Sequence, residues 1–204
     1  MKPIIAFAHI PKTAGTTLIS ILRRSYGWRH FDRPGFYRPL TADDLKQIRK
    51  VYRGLASIAG HTIQPHTDLH EQHPIRYYTF LRDPAKRLVS EFKFYLRRSA
   101  YDGNVHENLE ASWNTWLPTR SNYQCRYLSN EESAEKALEI IQDRIPFIGL
   151  LERFDESLLL FRKWADDPRL DIHYTTLNKG DGGSEHGRVT DEHIRDIDRF
   201  CKEL

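Results

Sequence analysis

Apolar residues cluster into four short runs in this chain and recur every three or four positions across most of what lies between. The runs at Ile4–Ala8, 56–60, 76–81 and 147–150 each read as a buried strand. Helical spacing of apolar positions predicts helices over 15–26, 41–53, 84–98, 107–117, 133–144, 154–165 and 190–203. Strands alternating with helices predict an α/β fold of three layers, a central parallel sheet flanked by helices. Right-handed crossovers then bring the carboxyl ends of the strands to one rim. Pro34 to Pro39 and Asn178 to Gly187 are the irregular stretches, and no repeat or long linker divides the chain. Residues 1–204 therefore read as a single domain, long enough for a full core.

Composition narrows the class. Hydrophobic residues make up 39% and charged residues 29%, which suits a water-soluble globular protein. No apolar run approaches the ~18 residues of a membrane span, and the N-terminus enters a strand with no secretory signal pattern. Cys125 and Cys201 are too few for a disulfide framework and suit a reducing compartment. A cytoplasmic location is expected. The net charge of +3 does not identify a nucleic-acid binder. Arg23, Arg24, Arg29, Arg33 and Arg38 lie among Tyr26, Trp28, Phe31, Phe36 and Tyr37. Such a mixture suits sugar rings and acidic groups, single strands of nucleic acid, or a solvated loop with aromatic anchors. Trp113 and Trp116 read as exposed, at an interface or in the core.

The chemistry concentrates after the first strand, in His9-Ile-Pro-Lys-Thr-Ala-Gly-Thr-Thr-Leu18. A strand, a tight turn and a helix start present unpaired N–H groups and partial positive charge, an attractive site for an anion. Lys12 adds a full charge, Gly15 allows close backbone approach, and Thr13, Thr16 and Thr17 add hydroxyl donors. The common phosphate-loop pattern G-x-x-x-x-G-K-[ST] is absent, because here the lysine precedes a single glycine. A capped turn is the plain alternative. A second motif follows from Tyr77 to Tyr95. Arg82 ends a strand, Asp83-Pro84 starts a helix, and Ser90 lies two turns along it.

Together, "HIPKTAGTTL" and "FLRDPAKRLVSEF" resemble the two nucleotide-binding motifs of sulfotransferases that use 3′-phosphoadenosine 5′-phosphosulfate (PAPS). The similarity is closer to the carbohydrate-modifying branch that includes heparan sulfate 2-O-sulfotransferases and small bacterial members. It spans most of the chain, about residues 3 to 200, with a further likeness at Ile148–Leu158 and a weaker one at Asn122–Leu128. The resemblance implies a P-loop-like fold and assigns the 5′-phosphosulfate to Pro11, Lys12, Thr13, Ala14, Gly15, Thr16 and Thr17. It assigns the 3′-phosphate to Arg82 and Ser90. Lys179 and Arg188, in and after the late glycine-rich loop, are further candidates for the nucleotide. A surface loop is the alternative reading there. The acceptor it implies is a hydroxyl of a carbohydrate or glycoconjugate, with no metal required, and among such proteins a bacterial-type cytoplasmic enzyme is expected, with an excised luminal domain as the alternative.

A hydroxyl acceptor must lose a proton, and histidine is the common base near neutral pH. His61 follows Gly60 at the end of a strand, matching the base of the 2-O branch; substrate positioning and a structural role are its other readings. That branch commonly has a second histidine just before the glycine. Ala59 stands there, so paired histidines are not expected. His9 lines the pocket or packs under the strand end. Glu91 and Glu152 are alternative bases, and Arg97, Arg98 and Arg120 are candidates for an acceptor cleft. His66, His70 and His73 have loosely metal-like spacing in a loop bracketed by Pro65 and Pro74. Two other functions compete with sulfuryl transfer: a small-molecule kinase on a related scaffold, and a non-catalytic nucleotide- or glycan-binding module.

Overall fold

The computed structural model describes residues 2–33, 35, 38–71, 73–101, 109–175 and 190–203. Among these residues, five strands form one parallel sheet: β1 (Ile4–Ala8), β2 (His30–Arg33), β3 (Ser57–Gly60), β4 (Ile75–Leu81) and β5 (Phe147–Leu150), in the order β2-β3-β1-β4-β5. Every residue of β1 is buried, as expected for a central strand covered on both faces. The four apolar runs of the sequence are β1, β3, β4 and β5. The fifth strand, β2, falls in the stretch read as an arginine-aromatic cluster.

Among the described residues, eight helices accompany the sheet: α1 (Gly15–Tyr26), α2 (Ala42–Val51), α3 (Pro84–Tyr101), α4 (Leu109–Trp116), α5 (Tyr123–Ser129), α6 (Ala134–Arg144), α7 (Phe154–Ala165) and α8 (Asp191–Glu203). Alternation along β1 divides the core. Ile5 and Phe7 meet Leu18, Ile21 and Leu22 of α1 and Leu158 and Phe161 of α7. Ile4, Ala6 and Ala8 face Leu45 of α2, Tyr127 and Leu128 of α5, and Ala137 of α6. Leu88, Phe92 and Leu96 of α3 form a third cluster with Trp113 and Trp116 of α4 and Ile197 of α8.

Several sequence readings change here. Trp113 and Trp116 are 3% and 7% exposed and belong to that third cluster, not to a surface. The arginine-aromatic stretch separates into structural pieces. Tyr26 is core, Arg23 forks onto Asp32 of β2 at 2.6 and 2.8 Å, and Arg38 pairs with Asp44 of α2. Phe36 and Tyr37 lie outside the described residues. α5, absent from the sequence reading, packs against α6 on the same side of the sheet. At the start of α8, Thr190 Oγ1 accepts from the His193 N–H, and His193 Nδ1 accepts from the Thr190 N–H. His193 takes the role that Glu or Gln has in a capping box.

Candidate active site

β1 connects to one side of the sheet and its neighbour β4 to the other, so their carboxyl ends flank a topological switch point. Open α/β sheets bind ligands at such a crevice. The chain leaves β1 through Pro11, and the next residues alternate in backbone hand. Lys12 and Ala14 have φ of 71° and 66°, with Thr13 between them outside the left-handed region. This alternation turns successive N–H groups to one side as a concave anion nest. Ala14 is the N-cap of α1 and supplies no side-chain hydrogen bond. The first helical bond runs from Leu18 N–H to the Ala14 carbonyl, so the N–H groups of the first turn face the loop.

Thr13 serves this loop from inside. It is fully buried, and its hydroxyl donates to the Ile10 carbonyl at 2.8 Å. Its hydroxyl therefore holds the turn from beneath instead of facing a ligand. Thr16 is exposed and Thr17 half-buried at the helix start. Lys12 Nζ lies 4.6 Å from the centre of the Phe94 ring. Burial lowers the Lys12 pKa, and the charges of Arg97 and Arg82 lower it further against the opposing pull of Glu91.

Arg82 follows β4 and reaches the same loop, its Nη1 donating to the Lys12 carbonyl at 3.2 Å. Gln124 of α5 clamps the Arg82 backbone from both sides. Its Oε1 accepts from Arg82 N–H at 3.1 Å, and its Nε2 donates to the Arg82 carbonyl at 2.8 Å. Asp83 caps α3, accepting from Lys86 N–H at 2.9 Å, while Glu152 accepts from Asp83 N–H at 3.0 Å. Helical spacing puts Arg87, Ser90, Glu91, Phe94 and Arg97 on one face of α3, and the Phe94–Lys12 contact turns that face towards the cradle. Glu91 bonds Arg87 at 2.7 Å and lies 3.5 Å from Arg120. Arg87 is buried and also covers the Tyr123 ring. A cavity of about 120 Å³ opens behind this network, lined by Arg87, Arg120, Tyr123, Gln124, Cys125 and Cys201 among others. Glu91 and Glu152, read as alternative bases, thus hold cations and backbone.

His61 stands on the other side of the cradle. Gly60 pairs with Ala8 of β1 and Arg33 of β2, and has φ of 146°, where a side chain would meet the Arg33 carbonyl at 2.8 Å. The turn this glycine permits directs His61 back over β1. His61 Nδ1 donates to the His9 carbonyl at 2.7 Å, which assigns the tautomer with the lone pair on Nε2. The two imidazoles stack with centroids 4.1 Å apart and planes inclined 27°. A paired-histidine arrangement is therefore present, with the partner supplied by β1 instead of the residue before Gly60. Burial lowers the His61 pKa, and the bond to the His9 carbonyl opposes that shift.

Burial, followed by the nearby His61 and Lys12, pushes His9 down from 6.5 to about 3. The folded state then binds fewer protons than the unfolded chain between those values. This contribution to stability is complete above the unfolded value and is lost as pH falls towards the folded one. Thermal unfolding is expected to shift to lower temperature between about pH 7 and about pH 5, less so in His9→Phe, as read by scanning calorimetry.

Not every predicted residue joins the site. Lys179 and Arg188 lie outside the described residues. His66, His70 and His73 turn to separate partners: the Leu128 carbonyl, the Thr67 carbonyl and the Arg49 guanidinium. No group of three or more His, Cys, Asp or Glu among the described residues is placed to hold a metal ion. No helix among them is long and apolar enough to cross a membrane. Sequence reasoning missed Gln124 and Phe94; only the weak likeness at Asn122–Leu128 pointed towards the first.

Against known proteins, the family model described as the sulfotransferase family matches residues 2–203. Among solved structures, the chain is similar to a crystal structure of a sulfotransferase from Alicyclobacillus acidocaldarius, at 12% identity and a TM-score of 0.55. That alignment covers 100% of this chain and 92% of the other. At this identity the likeness shows a shared fold. No curated protein matches the chain in sequence.

Proposed function

The chain belongs to the sulfotransferase family, and we propose that it transfers a sulfuryl group from PAPS to a carbohydrate hydroxyl, in the manner of the heparan sulfate 2-O branch. Lys12, Arg82 and His61 would act around one crevice as a single site. The observation that carries this reading is the convergence at Lys12. The carbonyl of this residue accepts from Arg82, and its flanking loop turns N–H groups into a nest beside the stacked His9 and His61.

The cradle fits a phosphosulfate. A nest at an uncapped helix start holds oxyanions through N–H groups, and Lys12 neutralises charge beside them. Arg82 uses one N–H on the loop, and a guanidinium has five, in a fork suited to a phosphate. With Ser90 on the adjoining helix face, Arg82 would hold the 3′-phosphate. When bound, the donor supplies an activated sulfuryl group on a bridging oxygen. His61 Nε2 takes the acceptor's proton as the new O–S bond forms, and Lys12 stabilises the charge that grows on the bridging oxygen as the old bond breaks. The cations already present let this proceed without a metal. The protein is expected to work as a soluble, cytoplasmic enzyme of a single domain.

Calorimetric titration with 3′-phosphoadenosine 5′-phosphate in EDTA, beside ATP with Mg2+, tests the reading. Metal-independent binding of the bisphosphate is expected, weakened by about 1.5–3 kcal/mol in Arg82→Ala, or roughly tenfold to a hundredfold in Kd. A preference for Mg·ATP would overturn it in favour of a kinase.

A further inference from the structure

We infer that His9 is a positioning residue, whose ring is the spacer that seats the His61 imidazole against the anion cradle. The inference rests on the reading of His61 as the base. It begins at Gly15, the first residue of α1. A Cβ built there would fall 1.6 Å from His9 Nε2 and within 2.2 Å of two further ring atoms. The imidazole therefore occupies the place where any other residue would carry its side chain. Gly15 lies in ordinary helical backbone, so the glycine is required by the ring and not by a turn. This differs from the sequence reading, in which Gly15 let the backbone approach the ligand.

From that seat the ring extends a column out of the core. Tyr78 stacks on Phe7 with centroids 5.3 Å apart, Phe7 on His9 at 5.3 Å, and His9 on His61 at 4.1 Å. The inner members are fully buried and belong to the packed face beneath α1 and α7. The outer member is the proposed base. Its Nδ1 is held by the His9 backbone, which no side-chain substitution removes, while its ring plane rests on the His9 side chain. Tautomer and orientation thus come from two parts of one residue. Because that residue also rests on the first turn of α1, the base and the cradle share a physical contact. Titratable residues near this pair include Lys12 of the loop between β1 and α1, whose charge acts on His9, Arg33, whose backbone pairs with Gly60, and Tyr127 of α5, whose hydroxyl donates to the Gly60 carbonyl.

The test compares His9→Ala, His9→Phe and Gly15→Ala in the full chain. It uses the pH dependence of kcat, KM for the donor, and the His61 resonances of histidine-labelled protein. His9→Ala is expected to lower kcat on the order of ten- to a hundredfold by loosening the ring, with donor KM changed by no more than about twofold. Solvent reaching the exposed flank of His61 should raise its titration towards the ordinary value, and the acid limb of kcat should rise with it. His9→Phe, which keeps a ring without nitrogens, should restore kcat. Gly15→Ala should reproduce the kcat and His61 changes of His9→Ala by displacing the ring, with donor KM free to move because Gly15 is itself part of the cradle, and it serves if His9→Ala does not fold. Unmoved His61 resonances and an unmoved kcat profile in both alanine variants would overturn the inference. If the His61 titration moves while the acid limb of kcat stays fixed, His9 does seat the ring and the assignment of His61 as base fails instead.

Discussion

Lys12→Ala should lower kcat by about 10²–10³ without loss of fold. The lysine supplies the only full positive charge on the loop between β1 and α1, where the proposed reaction would develop charge on the leaving oxygen. Burial and the neighbouring Arg97 and Arg82 already depress its pKa, a sign that it stands in a crowded cationic crevice. In such a place a cation acts on a developing anion with little water between them. The substitution is clean for two reasons. Alanine meets the same left-handed backbone that lysine now adopts, and Ala14 shows that this loop tolerates a methyl group in that conformation. The lysine head contacts the rim residue Phe94, which is itself 46% exposed, and not the core. Single-turnover assays beside a thermal melt would check the expectation. Turnover within a few fold of the parent would remove Lys12 from the mechanism.

His61→Ala comes second, with an expected loss of about 10²–10⁴ in kcat. Only the neutral imidazole accepts a proton, and burial favours that form. In the parent enzyme kcat should therefore fall as pH drops through a value below the ordinary histidine pKa of about 6.5, and be level above it. In His61→Ala that acid limb should vanish and the residual rate become flat, a signature that general destabilisation would not give. Near-normal turnover on the true acceptor would show that another group accepts the proton.

How far the sequence foretold this site depends on the kind of signal each residue left. β1, β3, β4 and β5 are apolar runs, and α1 and α7 carry clean helical spacing over the bounds observed. β2 left no such mark, because three of the four residues of this edge strand, HFDR, are polar. α5 was hidden for another reason. It has only seven residues between Asn122 and Asn130, both left-handed, so no period can establish itself. Gln124 was lost with it, since its value lies wholly in the clamp on Arg82. The neighbourhood of Lys12 and Arg82 was legible because each motif is continuous in sequence. The His9–His61 pair was not. Their meeting depends on the register that sets Ala8 beside Gly60, a pairing across more than fifty residues that no local pattern records.

The alternating loop of Lys12 and Ala14 has a consequence beyond its fit to an anion. Each non-glycine residue held in the left-handed region costs about 1–3 kcal/mol relative to a relaxed backbone. That cost falls on folding, where the buried Thr13 hydroxyl bond to Ile10 and the packing of α1 offset it. A loop already fixed in this shape has little conformational entropy left to lose when a ligand arrives. The chain thus gives up part of its own stability in the empty state, and in return the attraction between the cradle and the proposed oxyanion would be spent less on ordering the loop and more on affinity.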